Sequence, residues 1–202
     1  MKENLIKVDT TEREKRIYEQ YQEIIAPFII ELEVRDNEYP IELFNEIRSI
    51  FTHISRYKIQ SSEEDISLAE GHVKRAILDC YKYLCISISE KIRNFRDEYR
   101  HIDLGIADNG EFLPKLNQYE ASAMKKYKEA KQAEIAKVST EQQYILYEEA
   151  YNAYADLDKF LDDSTEAVLF ASKESKHHHY ITLISCIITI ISIVVTVITL
   201  VG

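Results

Sequence analysis

Across 202 residues the chain carries 35 acidic against 25 basic side chains, a net charge of −10. That balance argues against nucleic-acid binding driven by overall charge and leaves DNA outside the expected partners. With only 4 Gly and no glycine-rich phosphate loop, nucleotide hydrolysis at a P-loop or Rossmann site is excluded.

Helical periodicity runs through the chain ahead of its last apolar run, and no strand-like alternation competes with it, so the expected fold class is all-α. The N-terminal MKENLIKVDTTEREKR is polar and charged, unlike a secretory signal. Thr10 or Thr11 is placed to cap a first helix reaching about Arg35, with Pro27 predicting a kink midway. DNEYP, residues 36–40, reads as a turn, and Pro40 suits the first position of a second helix. That helix carries Leu43, Ile47, Ile50, Phe51 and Ile54 at helical spacing. Ser61-Ser62-Glu63-Glu64 then caps a long third helix. Its stripe runs Ile66, Ala69, Val73, Ile77, Cys80, Leu84, Ile88, Ile92, Phe95 and Tyr99, the pattern of a spine against which other helices pack.

GIADNGEF, residues 105–112, is the clearest break, because Gly105, Asn109 and Gly110 are helix-stop and turn residues. After it, residues 116–138 form a helix bearing Lys125, Lys126, Lys128, Lys131 and Lys137. Ser139-Thr140-Glu141 opens another, bearing Glu141, Glu148, Glu149, Asp156, Asp158, Asp162, Asp163 and Glu166. The two are expected to pair as a basic–acidic hairpin, although exposed ion pairs are individually weak, at ~0.2–1 kcal/mol. Tyr144, Tyr147, Tyr151 and Tyr154 fall on a 3–4 spacing and read as a packing seam.

Residues 180–202 contain no ionisable group except Tyr180 and Cys186. At ~1.5 Å per residue they are long enough to cross a hydrocarbon core of ~30 Å as one helix. Lys173 and Lys176 flank this run, so the expectation is a single-pass, tail-anchored protein of a bacterial inner membrane with its N-terminal domain in the cytosol. Within the run Thr182, Ser185, Thr189, Ser192, Thr196 and Thr199 are spaced 3, 4, 3, 4, 3 and share one helix face. Such a stripe marks helix–helix contact between copies of the chain, or in a ring the lining of a pore. The expected organisation is therefore a helical domain over 1–112, a charged hairpin or stalk over 113–176, and a transmembrane helix over 180–202. Cys80, Cys85 and Cys186 have no metal-ligand spacing, so Cys80 and Cys85 read as buried free thiols. No metal or other cofactor is expected. His177, His178 and His179 read as a polar collar at the membrane boundary that gains charge at low pH.

Two Arg-x4-His spacings stand out: Arg48 to His53 in EIRSIFTHISR, and Arg96 to His101 in IRNFRDEYRHI. On these the sequence resembles the HEPN superfamily, helical domains that often dimerise and cleave RNA at a paired Arg-x(4–6)-His motif. The motif usually has a polar residue directly after the Arg; Asp97 after Arg96 matches this better than Ser49 after Arg48. The resemblance covers at most residues 40–104 and rests on two fixed letters. It implies that His101 acts as general acid or base and that Arg96 stabilises phosphate charge, with Arg48 and His53 as the weaker copy. A HEPN-like domain joined to one membrane span is also similar to the small membrane accessory proteins of type VI CRISPR loci.

The expected function is that of a self-associating antiphage-defence effector that perturbs or permeabilises the membrane. The alternatives are a membrane-tethered, metal-independent HEPN-type ribonuclease and a non-catalytic membrane adaptor. The partners expected are the lipid bilayer, further copies of the chain, and a defence-system protein or RNA.

Overall fold

The computed structural model describes residues 11–37 and 39–201, apart from the side chains at 178, 179, 194 and 197–201. Among the described residues the chain forms seven α-helices and no strand. The first, α1 (Glu12–Gln20), begins where the sequence places a cap: Thr11 accepts from the Glu14 N–H, and Glu14 accepts from the Thr11 N–H at 2.8 Å. This capping box satisfies two end donors reciprocally. Glu14 is fully buried and also holds Lys58, which donates to Oε2 at 3.0 Å and lies 2.9 Å from Oε1. Burial alone would push the Glu14 carboxyl up, but the Lys58 and Thr11 donors outweigh it and hold it below its ordinary range.

The kink expected at Pro27 takes the form of a π-turn, Tyr21–Ile25, in which the Ala26 N–H reaches back to the Tyr21 carbonyl. Proline has no N–H to donate and its ring crowds the preceding turn; a wider turn just ahead of it removes both conflicts. The helix resumes as α2 (Ala26–Asp36) and stops at Asn37, which adopts a left-handed φ of 51°. Pro40 stands one position outside α3 (Ile41–Gln60), as the residue preceding it and not its first helical residue. Ser61 (φ 54°) ends α3, and Ser62 caps α4 (Glu63–Glu98) by accepting the Asp65 N–H at 3.3 Å.

The glycine-rich break becomes short helical turns over Leu104–Gly110, interrupted at Ala107, Asp108 and Asn109. Gly110 has φ +90°, a conformation that side chains rarely tolerate. Helix α5 (Phe112–Ile135) therefore starts earlier than residue 116, because fully buried Phe112 gives its first turn an anchor. Lys137 turns the chain with φ 54°, and the Ser139 hydroxyl accepts the Gln142 N–H to open α6 (Thr140–Asp163). Ser164 alone separates α6 from α7 (Thr165–Val201).

Contacts divide the chain into two compact units, Met1–Glu90 with Ser122–Ala155, and Lys91–Ala121 with Asp156–Gly202. In the first, the expected α4 stripe is the core: Ile66, Ala69, Val73, Ile77, Cys80 and Leu84 are all fully buried. They pack with Ile17, Ile25, Leu32, Leu43, Ile50 and Tyr147. Each such side chain contributes about 1.5–3 kcal/mol on burial. The expected tyrosine seam is part of this core, with Phe28 edge-on to Tyr81 at 5.2 Å and to Tyr151 at 5.0 Å. Burial pushes the thiols of Cys80 and Cys85 up to about 12, as suits inert core thiols. In the second unit, Phe112 and Tyr119 stack on Phe160, with Leu116, Leu157, Leu161, Val168 and Ala171 buried beside them.

The acidic face of α6 does not pair with α5 alone. Glu141 meets Lys74 at 2.9 Å, and Asp158 and Asp162 clasp Lys91 at 2.7 and 2.6 Å; both lysines lie on α4. Lys126–Glu149 at 3.6 Å joins α5 to α6. The lysines of α4 compete for the same carboxylates because α4 supplies the packing surface for α6, a choice that charge counts cannot reveal.

Among the described residues no helix is long and apolar enough to cross a membrane. Val194 and residues 197–202, which complete the expected span, lie outside the described side chains or the described residues.

Candidate functional site

Arg96 sits in the last turn of α4. Its guanidinium donates to Asn117 Oδ1 at 2.8 Å and, through Nε at 3.1 Å and one terminal nitrogen, to Glu120 on α5. Asp97 is exposed, and the exposed His101 accepts at Nε2 from Arg100 at 2.9 Å. No contact joins Arg96 or Asp97 to His101 among the described residues. Arg96 thus tethers α5 within the second unit, and its charge is already met by a carboxylate.

The weaker copy is also divided. Arg48 is exposed on α3, and its carbonyl accepts the Thr52 hydroxyl at 2.8 Å. His53 is mostly buried, with its Nδ1 2.8 Å from Asp65 Oδ1 on α4. Its imidazole stacks on that of His72, with centroids 5.3 Å apart and planes 19° from parallel. The Nδ1 of His72 lies 2.7 Å from Glu46 Oε2, which also receives the Nε–H of Arg75 at 3.2 Å. A reciprocal arrangement results: α3 offers a histidine and a carboxylate, and α4 answers with a carboxylate and a histidine. The bond from His53 is the main reason the Asp65 carboxyl is held below its ordinary range.

Glu46, Asp65 and His72 carry no local motif that would have marked them. Their partnership arises only when α3 and α4 reverse on one another across Ser61. The group braces two helices with charge-assisted bonds. Among the described residues no cluster of His, Cys, Asp and Glu could hold a metal ion.

On α7 the expected hydroxyl face is present through Thr196. Thr189 donates to the Ser185 carbonyl at 2.9 Å, Ser192 to Ile188 at 2.9 Å and Thr196 to Ser192 at 2.8 Å. These hydroxyls therefore spend their protons on their own helix. Thr182 and Ser185 lie on the same face, and Thr199 falls outside the described side chains. His177 is exposed, and the side chains of His178 and His179 lie outside the description. Around the stripe the apolar residues stand open: Ile184 is 55 % exposed, Ile190 61 % and Val195 53 %.

Comparison with protein-family models, with curated proteins and with solved structures finds no match to this chain.

Proposed function

We propose that this is a membrane-anchored helical protein that self-associates through the C-terminal part of α7, and that the assembly perturbs the bilayer holding it, as an antiphage-defence effector would. The observation that carries the reading is the exposure of large apolar side chains all around α7 except on its hydroxyl face, from Ile181 to Ile193 and at Val195. Covering each is worth about 1.5–3 kcal/mol, so leaving them all in water would cost more than the ~5–15 kcal/mol by which a domain is stable. A bilayer covers a helix on all sides at once, and a continuous helix already satisfies its own backbone groups there. The lysines Lys173 and Lys176 at the start of this stretch favour a cytosolic position for the preceding helices.

The hydroxyl face supports self-association. On a straight helix, a strict 3–4 alternation drifts by ~20° per heptad, so the stripe stays in contact only with partners wound in a left-handed supercoil. Because the hydroxyl protons are used within α7, the face offers close backbone approach more than donors across an interface.

The decisive experiment joins two measurements on the full-length protein. Flotation with liposomes tests anchoring, and light scattering of the detergent-solubilised protein tests assembly. Vesicle association with a mass of several copies is expected. Protein that stays at the bottom of the gradient, or a monomeric mass, would remove the reading. Dye release from the same liposomes then decides whether the assembly permeabilises them.

A further inference from the structure

Helix α3 carries apolar residues on two opposite sides. Leu43, Ile50 and Ile54 are buried in the core. The outer row faces away from them: Ile41 is 62 % exposed, Phe44 and Phe51 49 % each, and Ile59 78 %. Arg48 and Ser55, both exposed, complete this row. A helix that packs on one side needs a single apolar face, and a second, contiguous one marks a contact surface. Its two rings are already steadied, Phe51 by Tyr21 with centroids 5.9 Å apart and Phe44 by Tyr39 at 6.3 Å. Side chains held in place before contact lose less freedom on making it.

From Ile41 to Ser55 the outer residues are spaced 3, 4, 3, 4, the seam by which one helix packs on another. Asn45, Thr52 and Arg56 are exposed along one border of the row, so its width matches a helix and not a lipid surface. A bilayer would also have to take in the Arg48 charge, which is costly in hydrocarbon.

The order of side chains selects the partner. Laid antiparallel on a copy of itself and centred between Arg48 and Phe51, the seam sets Arg48 against Phe51 of the second copy, twice over. The same register sets Phe44 against Ser55 and brings Ile41 beside Ile59. A guanidinium then meets an aromatic ring, a large side chain meets a small one, and the apolar ends meet each other. In a parallel pair each residue would face itself, so Arg48 would oppose Arg48. We propose that α3 joins two copies of the chain through this outer face, antiparallel about a two-fold axis between Arg48 and Phe51. The contact lies within the first unit and does not depend on whether α7 self-associates. His53, held by Asp65 on α4, takes no part in it.

Light scattering of the full-length protein in a neutral detergent tests this, in the variant with Thr189, Ser192 and Thr196 replaced by Leu, where the α7 face is removed. A mass of two copies is expected. Adding R48E/F51E sets like charges against each other at both central positions and should halve the mass to one copy. The circular dichroism spectrum should not change, since both residues are exposed. Adding R48E/F51R instead sets opposite charges against each other, and two copies are expected again. One copy with α3 native, two copies surviving R48E/F51E, or one copy with R48E/F51R would each overturn the proposal. Should R48E/F51E fail to fold, the masses with native α3 and with R48E/F51R decide. Should the Leu variant keep the mass of the native assembly, the role of the α7 face is lost; a mass that R48E/F51E halves still upholds the α3 contact, and an unchanged one overturns it.

Discussion

Helices α4 and α7 are nearly equal in length, at 36 and 37 residues, and draw on the same stock of Ile, Leu and Val. Their apolar residues meet opposite fates. In α4 most occupy one face, the stripe from Ile66 through Ile92, every member of which is buried by protein, while Leu68 and Ile86 lie exposed off it. In the C-terminal part of α7 they surround the helix everywhere but on the hydroxyl face, and from Ile181 to Ile193 and at Val195 they are exposed. A one-sided stripe can be covered by neighbouring helices, whereas an all-round one needs an apolar medium. Angular distribution, more than apolar content, separates a core helix from one that must find a different solvent.

The contrast breaks most readily at Leu84. Leu84→Ala in α4 is expected to cost about 2–5 kcal/mol of stability, read as a lowered thermal midpoint by circular dichroism. Ile190→Ala in α7 should change it by less than about 0.5 kcal/mol, as for a residue without protein neighbours. Similar losses from the two variants would show that α7 is packed against protein like α4.

Next in size is the hydroxyl face. The small side chains of this face let helix backbones approach closely, so replacing Thr189, Ser192 and Thr196 together by the bulkier Leu should reduce the assembly to smaller species by light scattering. Liposome flotation should persist, because the variant is more apolar. An unchanged mass would strip the stripe of its role.

Glu134 sharpens the comparison from the core side. Burial works against its ionisation, but Lys82, Tyr147 and Lys131 outweigh that and hold its carboxyl at about 2. A carboxyl depressed in the folded state contributes stability that is fully present above its unfolded value near 4.5, and loses it as the pH falls from there toward about 2. Glu134→Gln should cost about 1–2 kcal/mol at neutral pH, and should flatten the loss of stability below about pH 4.5 in acid titrations. A variant that loses stability with the native pH profile would assign the acid sensitivity elsewhere.

Smaller still is the surface pair: Lys126→Ala should move stability by no more than about 0.5 kcal/mol, checked by the same melting curve. Smallest is His101→Ala, expected to leave both stability and membrane action as in the native protein. RNA degradation by native protein that His101→Ala abolishes would restore the enzymatic alternative.

The legible part of the fold was carried by local signals. Thr11, Ser62 and Ser139 cap the helices they precede because a short oxygen-bearing side chain meets end donors without help from distant residues. The α4 stripe was equally readable, since burial of one face needs only the helical period. Pairings across helices were not. His53 with Asp65, His72 with Glu46, and Lys91 with Asp158 depend on which surfaces meet, and side-chain reach carries no trace of that along the chain. The Arg-x4-His spacings illustrate the converse: Arg96 and His101 stand close in sequence, yet Asn117 and Glu120 claim the arginine.

The π-turn at Tyr21–Ile25 acts as a register spacer. A wide turn holds one residue more than the regular coil would, so everything beyond it is rotated by about 100° relative to an uninterrupted helix. Phe28 reaches Tyr81 and Tyr151 only in that rotated phase. Removing a single residue from Tyr21–Ile25 would therefore do little to helix content, yet it would swing the whole inward face of α2 away from the tyrosine seam. In this helix the count of residues ahead of Pro27 matters as much as their identity.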